Sequence, residues 1–321
     1  MTPANFCTVS SLSNGSFSTL DDPAQNQPTT DAVGINDAGQ IVGSYEDASG
    51  EHGFLRSGNI FVSIDDPSAT NDGILETGTA ALGINDAGEI VGEYDDASGS
   101  HGFLRTSGGL FGTLDAPLGK NTVANDINTA GQIVGSFEDT RGVEHGFLHF
   151  PGTPGAVGRF TFVDDPLATL GTNAIGINDA GQIVGSFRTG NNNQGVTHGF
   201  LLSGGTYFTI DDPLASGLTV ASGINNLGQI VGIYVDASTK LVHSFLITSW
   251  ARWEPIFSLP GWVASSAATQ RTCYCAAPRP VRSRSTTSAT TTSRMPPRWA
   301  RWGSISKSRA SAILIVTARP T

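Results

Sequence analysis

The sequence predicts an all-β protein, a β-propeller of five four-stranded blades closed by an N-terminal strand. Three observations carry that prediction. The stretch GINDAGQIVGSYEDASGEHGFL, residues 34 to 55, returns four more times with small changes. The marker Asn of each copy falls at Asn36, Asn85, Asn128, Asn178 and Asn225, with separations of 49, 43, 50 and 47 residues. Four short strands repeated at a period of about 47 residues suit a propeller blade better than a solenoid coil, which is shorter. Composition agrees, since 40 glycines with 38% hydrophobic residues describe a chain rich in turns.

Each element of the unit has a local cause. AVGIN, residues 32 to 36, is the first strand, and NDAG turns it into QIVGSY, the second. EDASGE, residues 46 to 51, turns that into HGFLRS, and a Gly-containing turn leads to the fourth strand, IFVSI. Asn and Asp bond their own backbone in such turns, and Gly takes the positive φ that a tight hairpin needs. Apolar residues alternate along the strands, which is the period of a half-buried strand. Proline closes each fourth strand, at Pro23, Pro67, Pro117, Pro166 and Pro213, where no further ladder donor is wanted. The fifth copy, residues 223 to 247, has no fourth strand after it, whereas SFSTLDDP, residues 16 to 23, is a fourth strand with no copy before it. That segment is therefore expected to complete the last blade and close the ring.

The domain so predicted spans residues 16 to 248. Residues 249 to 321 keep none of its habits. All five tryptophans lie there, with eleven of the eighteen basic residues and one acid, Glu254. Stretches such as RPVRSRSTTSATTTSRMPPRWARW have neither strand nor helix periodicity and read as a disordered basic tail. So abrupt a change also suits a shift of reading frame in the gene near this point.

Residues 1 to 248 keep seven basic and 27 acidic residues, a formal charge of −20. Such a body repels phosphate backbones, so no nucleic-acid partner is expected. The longest late apolar run, AILIV at 312 to 316, is far too short to span a membrane. The first residues, MTPANFCTVSSLSNGSF, have neither a basic start nor an apolar stretch, so no secretory leader is expected in them. Three cysteines, none between residues 8 and 272, make no disulfide framework and leave the compartment open. A monomer is expected.

The pattern GIN-[DN]-x-G-[QE]-I-V-G followed by H-[GS]-F-L resembles the bacterial HAF-type extracellular repeat family. The resemblance covers residues 16 to 248, about three-quarters of the 321-residue chain. It implies a propeller-like fold and an extracellular site of action, and no particular activity. The third copy departs from the pattern, with ANDIN at its start and LDAP in place of DDP.

In an up-and-down blade the DDP crossovers and the EDASGEH hairpins share one face, and the NDAG turns occupy the other. With the GIN strands innermost, Asp22, Asp66, Asp165 and Asp212 are expected near the tunnel mouth, where Ala116 breaks the ring. His52, His101, His145, His198 and His243 fall on the same face but further out. The crossover of residues 68 to 82 adds Asp72 and Glu76 and can partly cover the mouth, and Arg188 with TGNNNQG is a further asymmetric feature. Every recurring polar residue also has a purely structural reading: Asn and Asp as turn-makers, His as a repeated packing or hydrogen-bonding group.

The chain lacks a G-x-S-x-G elbow, a phosphate loop and zinc-type Cys/His spacing, and no motif stands behind a serine triad. Carboxylates and carbonyls at a tunnel mouth are hard oxygen ligands that suit calcium. A bound cation there polarises a carbonyl and activates water. The sharpest expectation is thus a calcium-dependent, lactonase-like hydrolase of small esters or lactones. In it Asp22, Asp66, Asp165 and Asp212 are the metal ligands, and His101 or His198 is the base. The alternatives are a non-catalytic carbohydrate- or protein-binding propeller, and a paired-carboxylate glycosidase. Against carbohydrate stands the lack of tryptophan in the repeats.

Overall fold

The computed structural model of the chain describes residues 20, 30–70, 78–117, 119–152, 158–191 and 195–248, all within one compact unit. Those residues form strands and no helix. The first repeat contains β1 (Thr30–Ile35), β2 (Ile41–Asp47), β3 (Gly50–Ser57) and β4 (Ile60–Ile64), and the second β5 (Thr79–Ile84), β6 (Ile90–Asp96), β7 (Gly99–Arg105) and β8 (Phe111–Thr113). The third contains β9 (Lys120–Ile127), β10 (Ile133–Glu138), β11 (Glu144–Phe150) and β12 (Arg159–Phe162). The fourth contains β13 (Gly171–Ile177), β14 (Ile183–Thr189), β15 (Val196–Ser203) and β16 (Thr206–Ile210). The fifth has β17 (Ala215–Ile224), β18 (Ile230–Asp236) and β19 (Val242–Ile247).

Within a repeat every strand pairs antiparallel with the next, in the order of the chain. Repeats touch through one parallel bridge at the start of a first strand, as at Glu51–Gly78, Glu144–Gly171 and Thr197–Leu218. The crossover after each fourth strand then lies against the second strand of the next repeat, with the Thr70 N–H donating to the Asp95 carbonyl and that of Thr169 to Arg188. Crossovers and β2–β3-type hairpins therefore share a face, as the sequence predicts. The segments 16–19 and 21–23, expected to close the ring, lie outside the described residues, as does the tail from 249. Among the described residues no strand of the fifth repeat pairs with one of the first.

The core is divided among the junctions. Val42 and Ile64 of the first repeat pack with Ala81, Ile84, Ile90, Tyr94 and Phe103 of the second. Val91, Leu114 and Ala116 do the same for the third, Val134 and Val163 for the fourth, and Val184, Leu201 and Ile210 for the fifth. Each repeat thus needs its neighbour to bury its apolar face, the energetic logic of a repeat protein.

A feature absent from the sequence pattern as read is a bulge in every first strand. The register against the second strand slips between Ala32 and Gly34, and at the matching place in β5, β9, β13 and β17. The slip explains the glycine of I-V-G. A methyl group on Gly43 or Gly92 would strike the carbonyl oxygen of Asp31 or Ala80 and the ring of Phe54 or Phe103. Only glycine lets the bulged strand and the buried Phe close on that spot. The glycine of N-D-A-G has the other role, with φ of 73° at Gly39 and 77° at Gly88.

Candidate functional site

The Asn residues build a ladder on one face. The Asn85 side-chain oxygen accepts the N–H groups of Ala87 (3.1 Å) and Glu89 (3.0 Å), which shapes the tight turn. Its amide donates to Glu89 (2.8 Å) and across to the Asn128 carbonyl of the next repeat (3.2 Å). Asn36 donates likewise to the Asn85 carbonyl, Asn128 to that of Asn178, and Asn178 to that of Asn225. Among the described residues the ladder ends at Asn225, whose amide donates to Gln229. A second rung runs beside it, with the Asp37 N–H donating to the Asp86 carboxylate and the Thr129 N–H to Asp179. The hydrogen bonds of Thr129 and Asn226 help hold the Asp179 carboxyl below its ordinary value against the opposing effect of burial.

On the opposite face four of the repeat histidines are clipped. His101 Nδ1 lies 2.8 Å from Asp115, and Nε2 lies 2.8 Å from Ser98 Oγ and 3.2 Å from Asp96. Its ring stacks on Tyr94 with centroids 5.2 Å apart. His52 repeats the arrangement with Asp65, Ser49 and Asp47, stacked on Tyr45. His145 joins Asp164 and stacks on Phe137. His198 joins Asp211 at 2.9 Å and Thr189 Oγ1 at 3.1 Å, stacked on Phe187. Burial opposes the charged form of His101, but hydrogen bonding and charge from Asp115, then Asp96, outweigh it and raise its pKa. The Ser98 hydroxyl holds Asp96 below the usual carboxylate range, and the Ser49 hydroxyl does so for Asp47.

Three of the residues expected as metal ligands sit in turns. The carboxylates of Asp66, Asp165 and Asp212 each accept an N–H two residues on, from Ser68, Leu167 and Leu214. Their own N–H groups donate to Thr79, Thr172 and Thr219, the threonine that opens each next repeat. Ala116 makes the same bond to Thr122, so its backbone does the positional work and the missing carboxylate breaks nothing. Asp22, Asp72 and Glu76 lie outside the described residues. Among the described residues no three His, Cys, Asp or Glu side chains gather as metal ligands.

Sequence reasoning overlooked the first Asp of DDP, the one that meets the histidine. The signal was available: that Asp stands in all five copies, whereas the second becomes Ala116 in the third. It also overlooked Asp126, which occupies the glycine position of GIN in the third repeat. Its carboxylate accepts the N–H of Ile127 and, across the junction, that of Ile177. Burial dominates there and pushes Asp126 up to about 6, with the charge of Asp179 adding. Beside it Asn125 donates to Asn173 and to the Ala174 carbonyl, so this junction has polar cross-links of its own. His149, also overlooked, is buried in β11, and burial pushes its pKa down.

No protein-family model matches the chain, and no curated protein matches it either. The resemblance to HAF-type repeats therefore stands on the motifs alone.

Proposed function

We propose that the chain is a non-catalytic propeller-type module, five blades of one repeat, whose work is contact with another protein. One observation carries the reading: the recurring polar side chains are consumed by the fold. The Asn amides are spent in turns and ladder, the second Asp in its own turn, and four histidines between neighbouring groups of their own repeats. Each of these side chains has a partner within the fold, so no ligand is needed to account for its recurrence. Carbohydrate is the weaker partner because sugars favour exposed aromatic platforms. Tyr45, Tyr94 and Tyr234 are each less than a tenth exposed. The acidic body, −20 over residues 1 to 248, favours a basic protein surface and repels nucleic acid.

A second reading keeps ester or lactone hydrolysis, and one arrangement favours it. Ser98, His101 and Asp115 stand in the hydroxyl–imidazole–carboxylate order of a nucleophilic triad. Two details weigh against it. The Ser98 hydroxyl donates to Asp96 at 2.6 Å, and two carboxylates favour an imidazolium that cannot accept the serine proton. The calcium-dependent form has Asp66, Asp165 and Asp212 as its ligands, together with Asp22, which lies outside the described residues. The purified chain, assayed on aryl esters and lactones with calcium and with chelator, is expected to give the buffer rate. Turnover lost in His101→Ala at unchanged melting temperature would establish the hydrolase instead. For the binding reading, the melting temperature is expected to rise with a basic peptide, less so in added salt, and to ignore an oligosaccharide panel. The reverse pattern would overturn it.

A further inference from the structure

Every junction between repeats is built from the same two faces, and each end of the array keeps one of them open. Toward the following repeat, the second strands offer Val42, Val91, Val134 and Val184, all fully buried in their junctions. The fifth repeat has Val231 at that position, partly exposed, and Leu246 paired with it in β19 is 53% exposed. Toward the preceding repeat, Ile90, Ile133, Ile183 and Ile230 are buried. Their counterpart in the first repeat, Ile41, is partly exposed, as are Ala32 and Ile35 of β1. The two end faces therefore do not cover one another, although they are the two sides of a contact that the fold makes between all its neighbouring repeats. The Asn ladder is open in the matching sense. Each Asn amide from Asn36 to Asn178 donates forward to the carbonyl of the next Asn. Among the described residues the Asn225 amide donates only within its turn, to Gln229, and the Asn36 carbonyl accepts only within its turn, from Gly39. One end of the array thus keeps a donor for a rung and the other end an acceptor.

We propose that a second copy of this chain covers each end, the fifth-repeat face of one copy docking on the first-repeat face of the next. The occupant follows from complementarity. Val231 and Leu246 meet Ile41, Ala32 and Ile35 as Val42 and Leu55 meet Ile90, Ala81 and Ile84 inside the chain. The ladder then runs on from the Asn225 amide of one copy to the Asn36 carbonyl of the other. A two-fold dimer would set donor against donor, so the contact is head to tail and builds a ring of copies or a filament. Its core is apolar, so association persists in salt, unlike attraction between charged surfaces. The inference concerns assembly of the repeats and does not depend on what the module binds.

Side chains one position past the ladder Asn meet across a junction, with Asp179 lying 2.7 Å from Thr129 Oγ1 on one side and 2.7 Å from Asn226 Nδ2 on the other. Cysteines at that position on the two end repeats can therefore trap the contact. The full chain with Cys7, Cys273 and Cys275 replaced by Ser is given Asn226→Cys and Asp37→Cys and oxidised mildly. Covalent dimers and larger species are expected on a non-reducing gel, and a mixture of the two single variants is expected to stop at the dimer. Asn226→Cys with Asp86→Cys, a position already engaged by Asp37, is expected to link far less. A linked monomer would show that the ends meet within one chain and would overturn the proposal, as would equal linking of the two pairs or no linking. Sedimentation of the parent chain in added salt is the independent arm. Its average mass is expected to rise with concentration, and to stay that of a monomer in Val231→Asp with the melting curve retained. A parent that sediments as a monomer throughout, or a Val231→Asp chain that associates as the parent does, would contradict the head-to-tail contact.

Discussion

Replacing Asn85 with alanine removes four hydrogen bonds at once. Two are the acceptances from Ala87 and Glu89 that shape the turn, one is the donation to Glu89, and one is the rung to the Asn128 carbonyl. The side chain is 3% exposed, so water cannot fully replace what is lost. At a net worth of about 1 kcal/mol each, the loss is about 3–4 kcal/mol. For a domain of this size that is a fall in Tm of roughly 8–14 °C. Asn85→Asp separates the two functions. It keeps the two acceptances but loses both donors and sets a second carboxylate beside Glu89, so it should be destabilised at neutral pH and recover as pH falls. Urea titrations followed by circular dichroism measure both variants, with Asp37→Ala, on the exposed turn, as the comparison expected to change little. A loss below about 1 kcal/mol for Asn85→Ala would refute the reasoning that this side chain ties repeat to repeat.

Three further predictions follow from the same geometry. His101 has a raised pKa in the fold, so its clip stabilises fully below its unfolded value and is lost as pH rises through the folded one; Tm plotted against pH should fall over that window, and less so in Asp115→Asn. Asp126 has its pKa raised to about 6, so it opposes folding by at most about 3 kcal/mol above that pH and not at all below the unfolded value near 3.8. Denaturation between pH 4 and 7 should therefore be flatter for Asp126→Gly than for the parent, and identical profiles would contradict the burial of that charge. Gly92→Ala forces a methyl group into the Ala80 carbonyl and the Phe103 ring, so loss of about 3 kcal/mol or failure to fold is expected in expression and melting assays. A variant that melts within a degree or two of the parent would show that the bulge relaxes more readily than the packing implies.

Much of this architecture was legible because it is local and repeated. N-D-A-G, D-A-S-G and D-D-P are turn chemistry, and five copies averaged out accident. The bulge at Ala32 to Gly34 was not legible, because a slip of one residue leaves the apolar alternation of a short strand almost unchanged. The ladder escaped for another reason: the partner of the Asn85 amide is a backbone carbonyl 43 residues away, and every residue type has one. The metal reading failed to separate the two Asp residues of D-D-P. Both lie just past the end of the fourth strand, where one carboxylate reaches the histidine of its own repeat while the other folds back on its turn. Position 116 held the distinguishing clue, since alanine is tolerated where the backbone N–H does the work and not where a carboxylate must meet an imidazole.

The central claim, that the recurring polar residues serve the fold, is tested most directly by melting the full chain with millimolar calcium and again with excess chelator. The account predicts coincident curves, because Asp66, Asp165 and Asp212 are engaged in their own turns. A cation bound at a hundredfold excess over its Kd would add about 2.7 kcal/mol and raise Tm by several degrees. Such a rise would contradict the account and return these carboxylates to a calcium site.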